Sequence, residues 1–222
     1  MKKVALLIFP EFSIQEVASL MYIFRWFYDT KTVTFSSSKK PVYSEEGIAI
    51  MPEKTFEEFN KDDYYCLVLP GCSDFKEVLT DEKLFMFLHS FKEDNKFVIG
   101  AICGGPILLS LAGLLDNKKF VSSSYYEMNK GLSAINYDNF TFQPVVVDGN
   151  IVSAVGDAFR EFAIEIARCV GFECRDKALS GLPEKWDDNY FIHHLPAEEI
   201  EEFNNKELPQ FESVYQNLKS KF

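Results

Sequence analysis

Histidine is scarce in this chain, with three residues, and none of its five cysteines (Cys66, Cys72, Cys103, Cys169, Cys174) belongs to a C-x-x-C pair or stands beside a histidine. A zinc site and a disulfide framework are therefore both poorly supported, and no metal or organic cofactor is expected. Long hydrophobic runs are also missing. No stretch approaches the roughly 18 apolar residues of a spanning helix. The opening MKKVALLIFPEF is basic and then apolar, but it stops at Pro10-Glu11 without a small-residue cleavage site, so it reads as the first strand of a cytoplasmic protein rather than a signal peptide. Positive charge is in deficit. There are 23 Lys and Arg against 34 Asp and Glu, a net charge of -11 spread along the chain. Phosphate backbones and anionic lipid surfaces would be repelled, which argues against nucleic-acid and membrane partners. No internal repeat or low-complexity linker is evident.

What is present is ample core material, 47% hydrophobic residues in 222, enough for one domain with an appendage. Short β-rich runs (KVALLIF, TVTFSS, YCLVLPG, KFVIGAI, KFVSSS, VVVDGNIVSAV) alternate with helical patterns. Ile14, Val17, Ala18, Met21 and Phe24 recur at helical spacing, as do Leu84, Phe85, Leu88 and Phe91, then Ile107, Leu108, Leu111 and Leu114, then Phe159, Phe162, Ala163, Ile166 and Val170. Turns are expected at Asp148-Gly149-Asn150 and at Glu46-Gly47. Fully apolar strands alternating with helices imply an α/β three-layer sandwich on a mostly parallel sheet, with its site beyond the carboxyl ends of the strands. After Cys174 the pattern changes. We read Met1 to Cys174 as the folded domain and Arg175 to Phe222 as a C-terminal helical extension, with helices at Ala197 to Asn204 and Phe211 to Lys219. Trp186, Tyr190 and Phe191 are expected to pack on the domain or on a second subunit.

The stretch GAICGGP carries the chemistry. Its strand ends at Ile102, Cys103 follows, Gly104 and Gly105 permit a sharp turn, and Pro106 suits the first turn of a helix. This is the arrangement of a nucleophile elbow. The helix that starts beside the sulfur should favour thiolate, so a depressed Cys103 pKa is expected. The plainer alternative is a buried, inert cysteine, and that reading suits Cys66, Cys169 and Cys174.

Four stretches, VALLIFPEFSIQEVASLMYIFR, CLVLPGC, VIGAICGGPILLSLAGLLDNKKFVSSS and GNIVSAVGDAFREFAIEIARCVG, resemble in order those of the ThiJ/PfpI superfamily, over Lys3 to about Gly171. The resemblance implies a flavodoxin-like sandwich in the class I glutamine amidotransferase-like group, a homodimer, and a reactive cysteine accompanied by an acid from the first helix. By position these are Cys103 and Glu16. On residues alone Glu16 could equally close a capping box with Ser13, since Ser13-Ile14-Gln15-Glu16 fits S-x-x-E. By the same logic the backbone amides of Gly104 and Cys72 would form an oxyanion hole, with Cys72 as a possible resolving thiol. Family proteases carry histidine after the nucleophile, where this chain has Gly104. Glyoxalase-type members often carry histidine where VSSSYYE places Ser124. His89 reads as structural, and His193 or His194 would reach a site only through the extension. HHLPAEE lacks the H-x-E of a glutaminase.

Three functions follow from the resemblance. One is an enzyme acting on a small electrophilic substrate with glyoxalase-, hydratase- or amidase-like chemistry, hydrolase or lyase rather than peptidase. The second is a redox or stress sensor working through oxidation of Cys103. The third is a binding module.

Overall fold

Strands that are apolar on both faces need a layer of helices on each side, and the arrangement of the chain satisfies that need. The computed structural model describes residues 2–179 and 194–219. Its elements are β1 (Lys3–Leu7), α1 (Gln15–Tyr28), β2 (Thr32–Ser36), β3 (Val42–Tyr43), β4 (Ala49–Ile50), β5 (Lys54–Thr55), β6 (Tyr64–Leu69), α2 (Glu82–His89), β7 (Val98–Ile102), α3 (Gly105–Leu111), α4 (Tyr126–Gly131), β8 (Val145–Asp148), β9 (Ile151–Ala154) and α5 (Phe159–Cys169). Seven strands form one sheet in the order β5-β2-β1-β6-β7-β9-β8, and only β8 runs antiparallel to its neighbour. The strands β3 and β4 form a separate hairpin turning at Glu45–Gly47. The fold is the mostly parallel α/β sandwich expected from the alternating pattern.

The chain leaves β1 for β2 on one side and returns to β6 on the other, so the two halves of the sheet diverge beside β1. Such a switch point opens a crevice at the carboxyl edge. The segments after β1, β6, β7 and β9 all emerge there, through parallel registers such as Leu6 with Val68, Leu69 with Ala101 and Ile102 with Ala154. Gly100 on β7 lets α5 approach closely. A Cβ there would stand 2.4 Å from Ile166 Cδ1 and 2.9 Å from Phe162 Cζ.

Two expectations change. Lys119 to Ser124 forms no sheet strand, only a single bridge from Phe120 to Phe140. The place beside β7 is taken by β9, which returns as a hairpin with β8, and the Val121 amide bonds the Ser153 hydroxyl instead. The buried face of α1 is Glu16, Val17, Leu20, Ile23 and Phe24, while Ala18 is exposed. The helix is rotated so that Glu16 faces the sheet. The short strand β5 and helix α4 had no pattern strong enough to announce them.

Two units divide the chain, residues 1–180 and 181–222. In the second, Ala197–Glu202 is helical, a π-turn covers Phe203–Glu207, and a helix runs Leu208–Lys219, one turn earlier than its apolar spacing suggested. Phe211, Val214 and Tyr215 are exposed on it. His194 is exposed, and His193, Trp186, Tyr190 and Phe191 lie outside the described residues. Among the described residues no helix is long and apolar enough to cross a membrane.

Candidate functional site

Cys103 stands immediately after β7 with φ of 58°, a left-handed conformation uncommon for a side-chain-bearing residue. That geometry costs about 1–3 kcal/mol and persists only where the surroundings impose it. Here they do so from both sides, because the Cys103 amide donates to the Ala154 carbonyl at 2.9 Å and its carbonyl accepts from the Ser123 amide at 3.0 Å. The turn aims a partly exposed sulfur at the carboxyl edge, and α3 starts two residues later with Pro106 in its first turn.

Glu16 reaches the same place from the first turn of α1. It is 8% exposed. Its Oε2 accepts the Gly71 amide at 2.6 Å, and its side chain hydrogen-bonds Cys103. The capping-box alternative fails, because the Ser13 amide donates to the Gly71 carbonyl at 3.0 Å instead and the next free amides of the helix start go to Glu46. Glu46, at the β3–β4 turn, accepts the Ile14 amide at 3.2 Å and the Gln15 amide at 3.0 Å, with the Ser13 hydroxyl at 3.4 Å. Glu16 is left free to face the sulfur.

Glycines make the crowding possible. A Cβ on Gly71 would stand 2.7 Å from Cys103 Cβ, 2.8 Å from the Gly104 nitrogen and 3.0 Å from Glu16 Oε2. On Gly156, after β9, it would lie 3.2 Å from Glu16 Oε1 and 3.4 Å from Cys103 Sγ. Gly104, whose φ is ordinary, has a different reason: a Cβ there would stand 2.7 Å from Phe75 Cζ. The ring occupies the space that a histidine at this position would need.

The protonation of the pair departs from expectation. Burial, then the Glu16 carboxylate and the hydrogen bond between the two groups, push the Cys103 thiol up to about 12, while the Gly104 amide and the Ser123 hydroxyl pull it down by less. The expected depression is overturned. The helix contributes one nearby amide from a seven-residue element, and desolvation with an adjacent carboxylate outweighs it. Burial raises Glu16 above the usual carboxylate range, its bonds to Cys103 and the Gly71 amide recover only part of that, and Glu45 and Glu46 add to the rise. Between the two titrations the pair holds one proton, which belongs to both groups. The form with that proton on Glu16 carries the thiolate.

Of the four expected site residues, Cys103, Glu16 and Gly104 converge. Cys72 borders them, since it follows Gly71 and pairs with Phe12 as an isolated bridge. Its thiol is pushed up to about 12 by burial and then by Glu16, Glu45, Asp74 and Glu11. Ser123, rather than Ser124, is the serine that reaches the sulfur, and its hydroxyl accepts the Gly156 amide at 2.8 Å. The Ser124 hydroxyl is buried without a hydrogen-bond partner. His89 is structural, with Nδ1 at 2.9 Å from the Ala112 carbonyl. Among the described residues no three His, Cys, Asp or Glu side chains converge as a metal site. Sequence reasoning missed Gly71, Phe75, Ser123, Gly156 and Glu46. Only the glycines just after β6 and β9 left a trace, as small residues at strand ends.

Residues 2–169 match the profile of the DJ-1/PfpI family. The chain is 31% identical over 135 residues to deglycase PfpI of Pyrococcus furiosus, covering 57% of this chain and 77% of that protein. It is 30% identical over 130 residues to isonitrile hydratase of Pseudomonas putida, covering 58% of this chain and 54% of that protein. The crystal structure of DJ-1 superfamily protein Atu0886 from Agrobacterium tumefaciens superposes with a TM-score of 0.68 at 25% identity, covering 77% of this chain and 90% of that one.

Proposed function

This chain belongs to the DJ-1/PfpI family, and from that premise we propose that it is a cysteine-dependent enzyme acting on a small electrophilic carbon such as an aldehyde, isocyanide or amide carbonyl. The observation that carries the reading is the buried Glu16 hydrogen-bonded to Cys103 at a strained elbow. In the reaction the thiol proton passes to Glu16, Sγ bonds to the electrophilic carbon, and the electron pair displaced from the multiple bond moves onto the attached heteroatom. The amides of Gly104 and Cys72 would hold that developing charge. With an amide, Glu16 then returns the proton to nitrogen, the C–N bond breaks to release the amine, and water hydrolyses the thioester. With an isocyanide the proton returns to the former isocyanide carbon, and water converts the thioimidate to a formamide and free thiol. With a glyoxal the proton returns to oxygen, a proton shift from the hemithioacetal carbon to the neighbouring carbonyl carbon gives the thioester of a hydroxy acid, and water releases that acid. Relatives named deglycase and isonitrile hydratase support chemistry of this kind. Phe75 stands where family proteases would place a histidine, which disfavours peptide hydrolysis.

The same two groups support a second reading, a sensor in which Cys103 is oxidised to a sulfinate that Glu16 hydrogen-bonds. The resemblance also implies a homodimer, for which Tyr22, Trp26 and Phe27, exposed in contact with one another on α1, supply an apolar face.

The test is turnover of a glyoxal, an isocyanide and a primary amide by the wild type, Cys103→Ser and Glu16→Gln. Turnover of one substrate that falls at least about a hundredfold in both variants supports the enzyme reading, in line with the usual effect of removing a proton-transfer group. Turnover that survives Cys103→Ser, or none with any of the three, removes it.

A further inference from the structure

Three segments meet at Phe12, Gly71 and Cys72, beside the Cys103 side chain. Phe12 bridges Ser44 on one side and Cys72 on the other. The Glu11 amide donates to the Tyr43 carbonyl, the Glu45 amide to the Phe12 carbonyl, the Ser13 amide to the Gly71 carbonyl and the Ser73 amide to the Glu11 carbonyl, all within 2.9–3.2 Å. This lacing holds residues 11–13, 43–46 and 71–74 as one rim over the carboxyl edge of the sheet.

The rim is acidic. Glu11 Oε2 is fixed by the Ser73 hydroxyl at 3.0 Å, Glu46 by the start of α1, and Asp74 by the Lys76 amide at 2.9 Å. Glu45 and Glu46 act on Glu16, and Glu45, Asp74 and Glu11 act on the Cys72 thiol. Among the described residues the one cation paired with these carboxylates is Lys76, 3.3 Å from Asp74 with its side chain 89% exposed, and so exposed a pair neutralises little. The neighbouring cleft of about 630 Å³ starts at Pro10 and Glu11 and sets Glu77 and Asp81 against Lys40 alone. On the other side the approach is apolar, closed by the Phe75 ring over Gly104.

We propose that the Cys103 site takes uncharged or cationic electrophiles and turns away those bearing a carboxylate or phosphate, through the carboxylates of Glu11, Glu45 and Asp74 on its rim. An anion approaching the sulfur passes the rim before it meets Glu16, and among the described residues no guanidinium or ammonium pairs with Glu11 or Glu45. Like-signed charge at a partly enclosed mouth lowers the local concentration of an anionic reactant by roughly tenfold or more. The inference rests on Cys103 being the nucleophile.

The experiment compares iodoacetamide with iodoacetate, two alkylating agents of similar size that differ in charge. Their rates at Cys103 are read by peptide mapping and each is divided by the rate with 2-mercaptoethanol, a neutral thiol. We expect the normalised iodoacetate rate to fall about tenfold below that of iodoacetamide at low salt. The gap should narrow as salt screens the rim, and narrow further in the triple variant Glu11→Gln, Glu45→Gln, Asp74→Asn, provided its iodoacetamide rate is retained. Equal normalised rates, or a gap indifferent to both salt and the triple variant, would overturn charge selection while leaving the nucleophile in place. A Cys103 that iodoacetamide does not modify would instead remove the nucleophile itself, and this proposal with it.

Discussion

The Gly71 amide lies 2.6 Å from Glu16 Oε2, so the acid from the first helix is held by the backbone that follows a different strand. The absent Cβ of Gly71 leaves room for that bond and for the Cys103 side chain at once.

Gly71→Ala forces its Cβ to within 2.7–3.0 Å of three groups, two of them backbone or directly attached to it. Overpacking of this kind costs about 1–3 kcal/mol. Chemical denaturation should show a loss in that range, and the displaced amide should leave Glu16 titrating higher still, read from the pH dependence of Cys103 alkylation.

Glu16 has its folded pKa raised by burial, so the folded state binds more protons than the unfolded one between the ordinary carboxylate value and the raised one. Stability therefore falls as pH climbs through that window. Glu16→Gln removes the fall, so the variant should gain on the wild type as pH rises, in urea titrations at several pH values. Removing the charge beside Cys103 should also bring its thiol down from about 12, detectable as thiolate absorbance appearing at lower pH. A stability difference that is flat with pH would contradict this account.

Glu46 has the opposite sign. Burial lifts its carboxyl, but the amides of Gln15, Ile14 and Glu46 itself with the Ser44 hydroxyl together hold it below the usual range. Its contribution is therefore present above the ordinary carboxylate pKa and is lost as pH falls through the depressed value. Glu46→Ala should cost about 1 kcal/mol at neutral pH, the usual value of a helix cap, and the cost should vanish in acid. An undiminished cost at low pH would mean that the charge is not what holds α1.

Gly104→His meets the Phe75 ring. The single variant should lose stability, and Phe75→Ala should restore much of it, giving a double-mutant coupling of about 1 kcal/mol. Additive effects of the two changes would show that the ring yields freely, and then the missing histidine has another cause.

Much of the sheet was legible because fully apolar runs such as VALLIF and VIGAI have only one stable environment, the interior of a covered parallel sheet. The Lys119–Ser124 run misled for the same reason. Its β-rich composition was real, but β9 had already filled the slot beside β7, and competition for a neighbour leaves no trace in local composition. Cys103 and Glu16 could be named from the elbow and the family's pattern. The choice between cap and site for Glu16 could not be made from residues, because it turned on the Gly71 carbonyl, which takes the Ser13 amide, and on Glu46 from a distant hairpin, which takes the next two.

The sequence by itself determined the layered α/β fold and the turn that carries Cys103, because hydrophobic periodicity and glycine placement act over a few residues. Tertiary structure alone decided the electrostatics. It gathered Glu11, Glu45 and Asp74 from three separate segments about the Cys72 thiol, and set Glu45 and Glu46 near Glu16, the acid beside the Cys103 sulfur. It also buried that sulfur enough to push its proton up rather than down. Charge and desolvation act through space, over distances that the order of residues along the chain does not record.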